Sequence, residues 1–208
     1  MYRILLVDDH AVVRRGVRAI LEDELVGVAV AEAADGDQAL AGIEQPLDAV
    51  VLDLSMPGRS GIDLLLEIKH RKPRLPVLVM SLHAEAQFAV RALRAGASGY
   101  LNKSAAPDHL VSAITKVARG GRYVSESLAD RLAAEVGRPA AGAPHERLSH
   151  REFEVMRGIA SGSSVSEMAA RMHLSVKTVS TYRARLLDKM GMSSNAELTR
   201  YAIELGLV

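Results

Sequence analysis

Short apolar runs alternate with amphipathic stretches over residues 1–122 of the chain. The apolar runs lie at 4–7, 28–33, 49–52, 77–81 and 99–101, each bounded by polar or turn residues. Runs of this length and setting predict buried β-strands. Between them, apolar residues recur at helical spacing, as at Val13, Val17, Ile20 and Leu21 and again at Leu110, Ile114 and Val117. Five such β-α repeats predict an α/β domain whose parallel sheet is covered by helices on both faces.

Residues 148–208 carry no strand pattern and instead show signals for helix starts. The spacing Ser-x-x-Glu, in which the two side chains satisfy each other's free backbone donors, marks a helix N-terminus. It occurs at Ser149/Glu152, Ser164/Glu167 and Ser194/Glu197, and Ser175 is a further cap without the Glu. The pattern predicts a small all-α domain of four helices that begin near 150, 165, 176 and 195.

A Gly/Pro/Ala segment at 137–144 lies between the two patterns. It can neither continue a helix nor build a core, so it predicts a linker. We place the first domain at 1–122, a linker with a helical start at 123–147 and the second domain at 148–208. The formal charge is −1 over 1–144 and +2 over 145–208.

Composition excludes several classes of protein. The chain has 208 residues, no cysteine and a formal net charge of +1. The lack of cysteine excludes disulfides, thiolate metal sites and cysteine nucleophiles, and it suits a reducing cytosol. Acidic residues follow the first apolar run too soon for a signal peptide, and no apolar run reaches about 18 residues. We therefore expect a cytoplasmic protein without a membrane span, in which any contact with nucleic acid uses a local basic patch.

Acidic residues stand at the ends of the first and third predicted strands. Asp8 and Asp9 follow the first strand, and Asp53 ends the third. In the flavodoxin-like strand order these strands are neighbours beside the point where the order reverses, which is where ligands bind. Converging carboxylates repel one another unless a hard cation joins them, and oxygen ligands suit Mg²⁺. Solvated loop carboxylates are the alternative, and the placement of all three favours the cation site.

Two further residues fit a phosphoryl group on Asp53. Ser81 ends the fourth strand and Lys103 follows the fifth. A hydroxyl, an ammonium and Mg²⁺ would together neutralise phosphoryl charge. The segment 56–58, Met-Pro-Gly, predicts a turn directly after Asp53. Taken alone, Lys103 would be interpreted as an ordinary surface lysine.

As a set, these residues resemble the receiver domain of bacterial two-component response regulators over roughly residues 2–120. The resemblance rests on Asp8, Asp9, Asp53, the 56–58 turn, Ser81, Tyr100 and Lys103. It implies that Asp53 is the phosphoacceptor. It further implies that Asp9 is the direct Mg²⁺ ligand, together with the Asp53 carboxylate and the Ser55 carbonyl, and that Asp8 holds the metal through water.

The same resemblance assigns the remaining residues of the pocket. Lys103 pairs with the phosphoryl group. Ser81 and Tyr100 form a switch pair, in which the hydroxyl moves to the phosphoryl group and the ring turns inward behind it. Receivers often have a cis-proline after the lysine, but here Ser104 follows, so we do not expect a cis bond.

A basic segment in the second domain is a candidate DNA-binding element. Residues 171–189 carry a net charge of +4. A helix, a tight turn near 172–175 and a helix from 176 to 190 form a candidate helix-turn-helix. On the second helix, helical phase places Val176, Val179, Leu186 and Met190 on the core face. A basic solvated face on a small bundle is the alternative interpretation.

The face opposite that core is short and polar, as a surface for the major groove should be. It comprises Lys177, Thr178, Ser180, Thr181, Ala184, Arg185 and Asp188. Arg183 falls near the edge of the core, where it would pack or contact a phosphate. From 148 to 183 the segment resembles the LuxR-type DNA-binding domain. With the receiver, the chain resembles the NarL/FixJ class of response regulators from end to end.

In that class, the positions of Ser180, Thr181 and Ala184 contribute base contacts. Many relatives have lysine at the positions of Ser180 and Ala184, so the preferred bases are left open. The last helix carries an apolar stripe, Leu198, Tyr201, Ala202 and Leu205. This stripe is either core or the contact through which the class dimerises on DNA.

The resemblance implies a sensor histidine kinase, a double-stranded DNA operator and a second copy of the chain as partners, with RNA polymerase as a further candidate. The linker would let the receiver cover or release the recognition helix.

Three interpretations of function remain at this stage. The first is a transcription regulator, not an enzyme, that is gated by phosphorylation. The second is a Mg²⁺-dependent phosphatase of the haloacid dehalogenase type, which needs an acid two residues after the nucleophile, where this chain has Ser55. The third is a DNA-binding protein with a degenerate receiver, against which the complete pocket argues. His10 and His83 fall at the rim of the pocket, but no histidine pair at helical ligand spacing favours them as metal ligands.

Overall fold

A computed structural model describes residues 1–56, 61–81, 86–125, 128–130 and 143–208. The chain divides into two compact units, Met1–Gly137 and Arg138–Val208, and the division falls inside the predicted linker. The finer boundaries, at 122/123 and 147/148, stay predictions. Among the described helices, none combines the length and apolar character needed to cross a bilayer.

The first unit is a doubly wound α/β domain with one parallel sheet in the order β2-β1-β3-β4-β5. Its elements are β1 Arg3–Val7, α1 Ala11–Glu24, β2 Ala29–Ala33, α2 Gly36–Gly42, β3 Ala49–Asp53, α3 Gly61–Arg71, β4 Val77–Ser81, α4 Ala86–Arg94, β5 Gly99–Asn102 and α5 Ala106–Ala118. The predicted α/β fold and its five strands are confirmed. The order reverses between β1 and β3, so the ends of these two strands flank a crevice.

The core of this unit forms because the central strands are apolar on both faces. Every residue of β3 and β4 is buried. One cluster packs α1 and α5 against the sheet through residues such as Val17, Leu21, Leu110 and Ile114. These four are among the positions at which the sequence shows helical spacing.

One feature of the sheet edge has no signal in the sequence. After α5, the chain returns to β5, where Tyr123 forms a parallel bridge with Gly99. The Tyr100 amide donates to the Tyr123 carbonyl at 2.9 Å, and the Tyr123 amide donates to the Ser98 carbonyl at 3.1 Å. A Cβ atom on Gly99 would stand 2.7 Å from the Tyr123 carbonyl oxygen, so only glycine allows this approach. The start of the predicted linker therefore covers the edge of this sheet.

The second unit is helical. Its described helices are α6 His150–Ala160, α7 Val165–Arg171, α8 Val176–Met190 and α9 Asn195–Glu204. Complete capping boxes start α6 and α7, through Ser149 and Ser164. Ser175 caps α8 by accepting a hydrogen bond from the Thr178 amide. The predicted starts of all four helices are confirmed.

Two details of this unit differ from the sequence prediction. At α9, Ser194 accepts from the Glu197 amide, but the Glu197 carboxylate binds the amide of Ser193 at 2.9 Å, one residue before the cap. The reciprocal half of the capping box is therefore displaced by one residue. Val176, predicted to lie in the core, is instead 50% exposed at the first residue of α8.

Candidate functional site

Three carboxylates and one imidazole meet at the carboxyl ends of β1 and β3. Asp8 and Asp9 directly follow β1, and Asp53 is the last residue of β3. The two strands pair in register, with Val7 opposite Leu52. One ligand atom from each of Asp8, Asp9, His10 and Asp53 lies within 4.8 Å of the others. The convergence predicted from strand order is therefore present.

Lys103 joins two of these acids. Its ammonium donates to Oδ2 of Asp8 at 2.7 Å and to Oδ2 of Asp53 at 2.8 Å. The remaining oxygen of each acid accepts from the backbone two residues further along: Asp8 from the amide of His10 at 2.8 Å, and Asp53 from the amide of Ser55 at 3.1 Å. The sequence predicted Lys103 beside a phosphoryl group but had no signal for its bond to Asp8.

Burial and charge compete at this cluster. Asp53 is 1% exposed, and burial raises the pKa of its carboxyl above the ordinary value even though the Lys103 ammonium opposes this. Burial would also lower the pKa of Lys103, but the Asp53 and Asp8 carboxylates outweigh it and hold that pKa above its ordinary value. Lys103 is therefore a cation at neutral pH, and an ionised Asp53 depends on positive charge beside it.

One carboxylate oxygen of Asp9 lacks a hydrogen-bond donor in the described part of the chain. Its Oδ1 is buried and has no hydrogen-bond partner among the described residues. The Nδ1 atom of His10 lies 2.8 Å away but outside hydrogen-bond geometry. A buried carboxylate oxygen without a donor is costly unless a cation takes that place.

Ser81 and Tyr100, the predicted switch pair, end up buried near the same edge. Ser81 is fully buried at the end of β4, and Tyr100 is 6% exposed in β5. Two predicted features fall outside the described residues, namely positions 57 and 58 of the turn after Asp53 and His83 at the rim of the pocket. The Lys103–Ser104 peptide is trans, since no described residue has a cis bond.

An arginine contact that the sequence analysis missed also supports the acidic turn. Arg14 donates to the carbonyl of Asp8 at 2.6 Å and to the Glu32 carboxylate on β2 at 2.9 Å. It thereby links the turn after β1 to the neighbouring strand. The signal that could have found it is the placement of Arg14 one helical turn after His10.

The candidate DNA-binding face lies on α8. Six of its residues are exposed, namely Lys177, Ser180, Thr181, Ala184, Arg185 and Asp188, and Thr178 is half-buried. The opposite face packs inward, with Val179 and Leu186 fully buried. The turn that precedes α8 contains His173 in the left-handed region, at φ 53°. A short turn followed by a capped helix with a polar outer face is the arrangement of a helix-turn-helix.

Hydrogen bonds on α8 limit what some of these residues can do. The Thr181 hydroxyl donates to the Lys177 carbonyl at 3.0 Å, which leaves its oxygen lone pairs and methyl group for other contacts. Thr178 shares a 2.8 Å hydroxyl–hydroxyl bond with Ser175 at the helix start. Arg183 donates to Asn195 at 2.7 Å and so contacts α9 rather than facing outward.

Lys189, counted in the basic segment, has a structural partner. Its ammonium binds the Glu152 carboxylate at 2.7 Å, and that carboxylate also accepts from the Ser149 amide at 2.7 Å. Burial would raise the pKa of Glu152, but these donors outweigh it and lower the pKa. Since Glu152 belongs to α6, the pair ties the end of α8 to α6.

The apolar stripe on α9 divides between core and surface. Leu198 and Ala202 are fully buried in the domain's own core, so they have no surface to offer a partner. Leu205 is 49% exposed and Tyr201 is half-buried. The core alternative therefore applies to Leu198 and Ala202, whereas a dimer contact through Tyr201 and Leu205 stays a prediction.

Comparison with known proteins agrees with this geometry. Residues 4–115 match the response regulator receiver domain, and residues 146–202 match the bacterial regulatory proteins of the luxR family. The response regulator UvrY of Escherichia coli strain K12 is 37% identical over 100% of this chain and 96% of its own. The transcriptional activator protein ExaE of Pseudomonas putida is 38% identical over 99% and 97%.

Solved structures give the same result. The RcsB response regulator of Salmonella enterica serovar Typhimurium, in a structure bound to promoter rprA in the presence of phosphomimetic BeF3-, superposes with a TM-score of 0.62 and 28% identity. It matches 97% of this chain and 98% of its own.

Fold, site and comparisons define a two-component response regulator that combines a receiver with a LuxR-type helix-turn-helix. More particularly, the chain belongs to the NarL/FixJ class of these regulators. It is a DNA-binding regulator and not an enzyme.

Proposed function

We propose that Asp53 accepts a phosphoryl group from a sensor histidine kinase, and that this modification favours a dimer that binds an operator and controls transcription. The observation that carries the proposal is the buried Asp53 carboxylate, held by Lys103 at 2.8 Å beside two further acids. Such a carboxylate is shielded from water and has a cation in place to stabilise added negative charge.

The residues present fit a divalent cation. The donor set consists mainly of carboxylate oxygens, which suit Mg²⁺, and Oδ1 of Asp9 is buried without a hydrogen-bond partner in the described part of the chain. Asp9 would hold the ion directly with Asp53 and the Ser55 carbonyl, and Asp8 through water. When bound, the ion would supply positive charge that offsets the negative charge of a phosphoryl group on Asp53.

The transfer itself needs an ionised, oriented Asp53. One of its carboxylate oxygens attacks phosphorus, the phosphorus–nitrogen bond of the kinase phosphohistidine breaks, and the imidazole leaves with the electron pair. Lys103 can stabilise the negative charge of the incoming phosphoryl group, because its ammonium already contacts Asp53. A second hydrogen bond, to Asp8, holds the ammonium in place. The Ser55 amide orients the other oxygen of Asp53.

The switch pair would transmit the modification. The Ser81 hydroxyl would approach the phosphoryl group, and the Tyr100 ring would occupy the space behind it. Ser81 ends β4 and Tyr100 lies in neighbouring β5, with Val79 opposite Tyr100. Tyr100 is 6% exposed, so the ring lies within the protein, where such a movement would take place. Phosphorylation would then favour the dimer only if the phosphorylated receiver makes contacts in the dimer that it does not make in the monomer.

Operator binding would use the exposed face of α8. Thr181, Ser180 and Ala184 point toward base edges in this proposal, with Thr178 at the margin, while Lys177 and Arg185 contact phosphates. Of the α9 stripe, Leu205 is exposed and Tyr201 is half-buried, so these two would form a dimer contact, in which Tyr201 would keep its 2.8 Å hydroxyl contact with Nδ1 of His145. We further propose RNA polymerase as a partner at the promoter and a cytoplasmic location, which contact with genomic DNA requires.

Labelling with acetyl phosphate tests the proposal. The full chain with Mg²⁺ should gain one phosphoryl group by intact mass, and Asp53→Asn should gain none. Asp9→Ala should also remain unlabelled, because a metal ligand is lost. Labelling of Asp53→Asn to the level of the parent chain would overturn the assignment. Sedimentation and operator binding before and after labelling test the gating, and no change in either would contradict it.

A further inference from the structure

The His10 ring points at the acid cluster instead of capping its own helix. His10 occupies the cap position before α1, but its side chain makes no capping hydrogen bond. Its Nδ1 atom lies 2.8 Å from Oδ1 of Asp9 and 3.3 Å from Oδ1 of Asp8. The side chain is 58% exposed, so the ring has one edge at the cluster and the other in solvent.

These separations suit ligands of one cation. In an octahedral shell with bonds of about 2.1 Å, neighbouring ligand atoms lie about 3 Å apart. The distance from Nδ1 to Oδ1 of Asp9, 2.8 Å, is close to that value, whereas the 3.3 Å contact of Nδ1 with Oδ1 of Asp8 is a hydrogen bond. The Asp9 oxygen that faces the ring is also the buried oxygen without a hydrogen-bond partner among the described residues.

We infer that His10 is a nitrogen ligand that makes the acidic site bind Ni²⁺ more tightly than an all-oxygen site would, and that it contributes little to Mg²⁺ binding. The inference rests on the proposed metal site and adds a donor to it. Imidazole nitrogen favours later transition metals, whereas Mg²⁺ favours oxygen. The sequence analysis disfavoured His10 as a metal ligand because no second histidine lies at helical ligand spacing from it. In the structure, the other candidate ligands lie at the ends of strands instead.

Calorimetric titration of the full chain with Ni²⁺ and, separately, with Mg²⁺ tests this selectivity. His10→Ala should weaken Ni²⁺ binding about tenfold and change Mg²⁺ binding less than about twofold. His70→Ala, at an exposed histidine in α3, is the matched control and should leave the strong Ni²⁺ site unchanged. An equal loss for both metals, or no loss for Ni²⁺ in His10→Ala, overturns the inference.

A spectroscopic measurement identifies the ligand directly. Bound Mn²⁺ should show electron spin-echo modulation from a coordinated imidazole nitrogen in the parent chain and in His70→Ala, but not in His10→Ala. Absence of this modulation in the parent chain overturns the inference. Asp9→Ala separates the two proposals: if it still binds Mg²⁺ normally, the proposed metal site is wrong, whatever His10→Ala does.

Discussion

Replacement of Gly99 by alanine should release the segment that covers the sheet edge. An added Cβ would lie 2.7 Å from the Tyr123 carbonyl oxygen and 3.0 Å from both the Leu78 side chain and the Tyr123 Cβ. The nearest atom belongs to the backbone, so no rotamer change can relieve the contact. Tyr123 must move away from β5, which breaks its bonds to Tyr100 and Ser98.

The size of the effect follows from these contacts. Two backbone hydrogen bonds contribute about 1–3 kcal/mol together. Repacking against Leu78 adds a further cost of about 1–3 kcal/mol, so the free energy of unfolding of the receiver should fall by about 2–6 kcal/mol. Urea unfolding of the full chain measures the loss. Hydrogen exchange should locate it, with faster exchange at the Tyr100 and Tyr123 amides.

Gly16→Ala is the matched control, since an added Cβ at this position in α1 meets nothing within 4 Å. Alanine favours a helix over glycine, so this variant should be unchanged or more stable by about 0.5–1 kcal/mol. If Gly99→Ala is as stable as Gly16→Ala and both amides exchange as in the parent chain, the close approach of Tyr123 to β5 is refuted.

Three further predictions concern two buried acids and the DNA-binding face of α8. In metal-free buffer, Asp53→Asn should raise the free energy of unfolding at neutral pH, because burial raises the pKa of Asp53 and its ionisation therefore costs stability. Thermal unfolding at several pH values should show that this gain disappears below about pH 4, near the ordinary carboxyl pKa of 3.8, where Asp53 is protonated in both states. Glu152→Gln should lower the free energy of unfolding by about 1–3 kcal/mol at neutral pH, since the lowered pKa of Glu152 reflects its hydrogen bonds to donors such as Lys189. This loss should vanish as the pH falls below 4.5 and through the lowered pKa, where Glu152 becomes protonated. Lys177→Ala should weaken binding to all DNA sequences and reduce the salt slope by about one, whereas Thr181→Ala should change the preferred site by about 1–3 kcal/mol at one base pair.

Each of these has a control or a contradicting result. Asp23→Asn, at an exposed position of α1, should show no pH-dependent gain; a gain equal to that of Asp53→Asn would remove burial as the cause. Glu167→Gln changes an exposed capping-box acid and should have a smaller effect than Glu152→Gln. In binding-site selection at two salt concentrations, an altered motif with Lys177→Ala and an unchanged one with Thr181→Ala would reverse the assignment of the α8 face.

Local patterns in the sequence were enough to predict the elements and their type. The apolar runs of β1, β3 and β4 are the central strands because each can be buried on both faces, and that property is visible residue by residue. Helix starts at Ser149, Ser164 and Ser175 were predictable because a cap involves groups only three residues apart. The convergence of Asp8 with Asp53 followed as well, since strand order alone brings the ends of two neighbouring parallel strands together.

Tertiary structure decided the contacts that join distant parts of the chain. The bridge of Lys103 to Asp8 spans 95 residues and the pair Lys189–Glu152 spans 37, and neither spacing carries a signal. Helical phase also could not show that Val176 is exposed and that Leu198 is buried. A periodic pattern specifies which face of an element is apolar, whereas the neighbour that covers this face, and how far it reaches, is determined only when the elements pack.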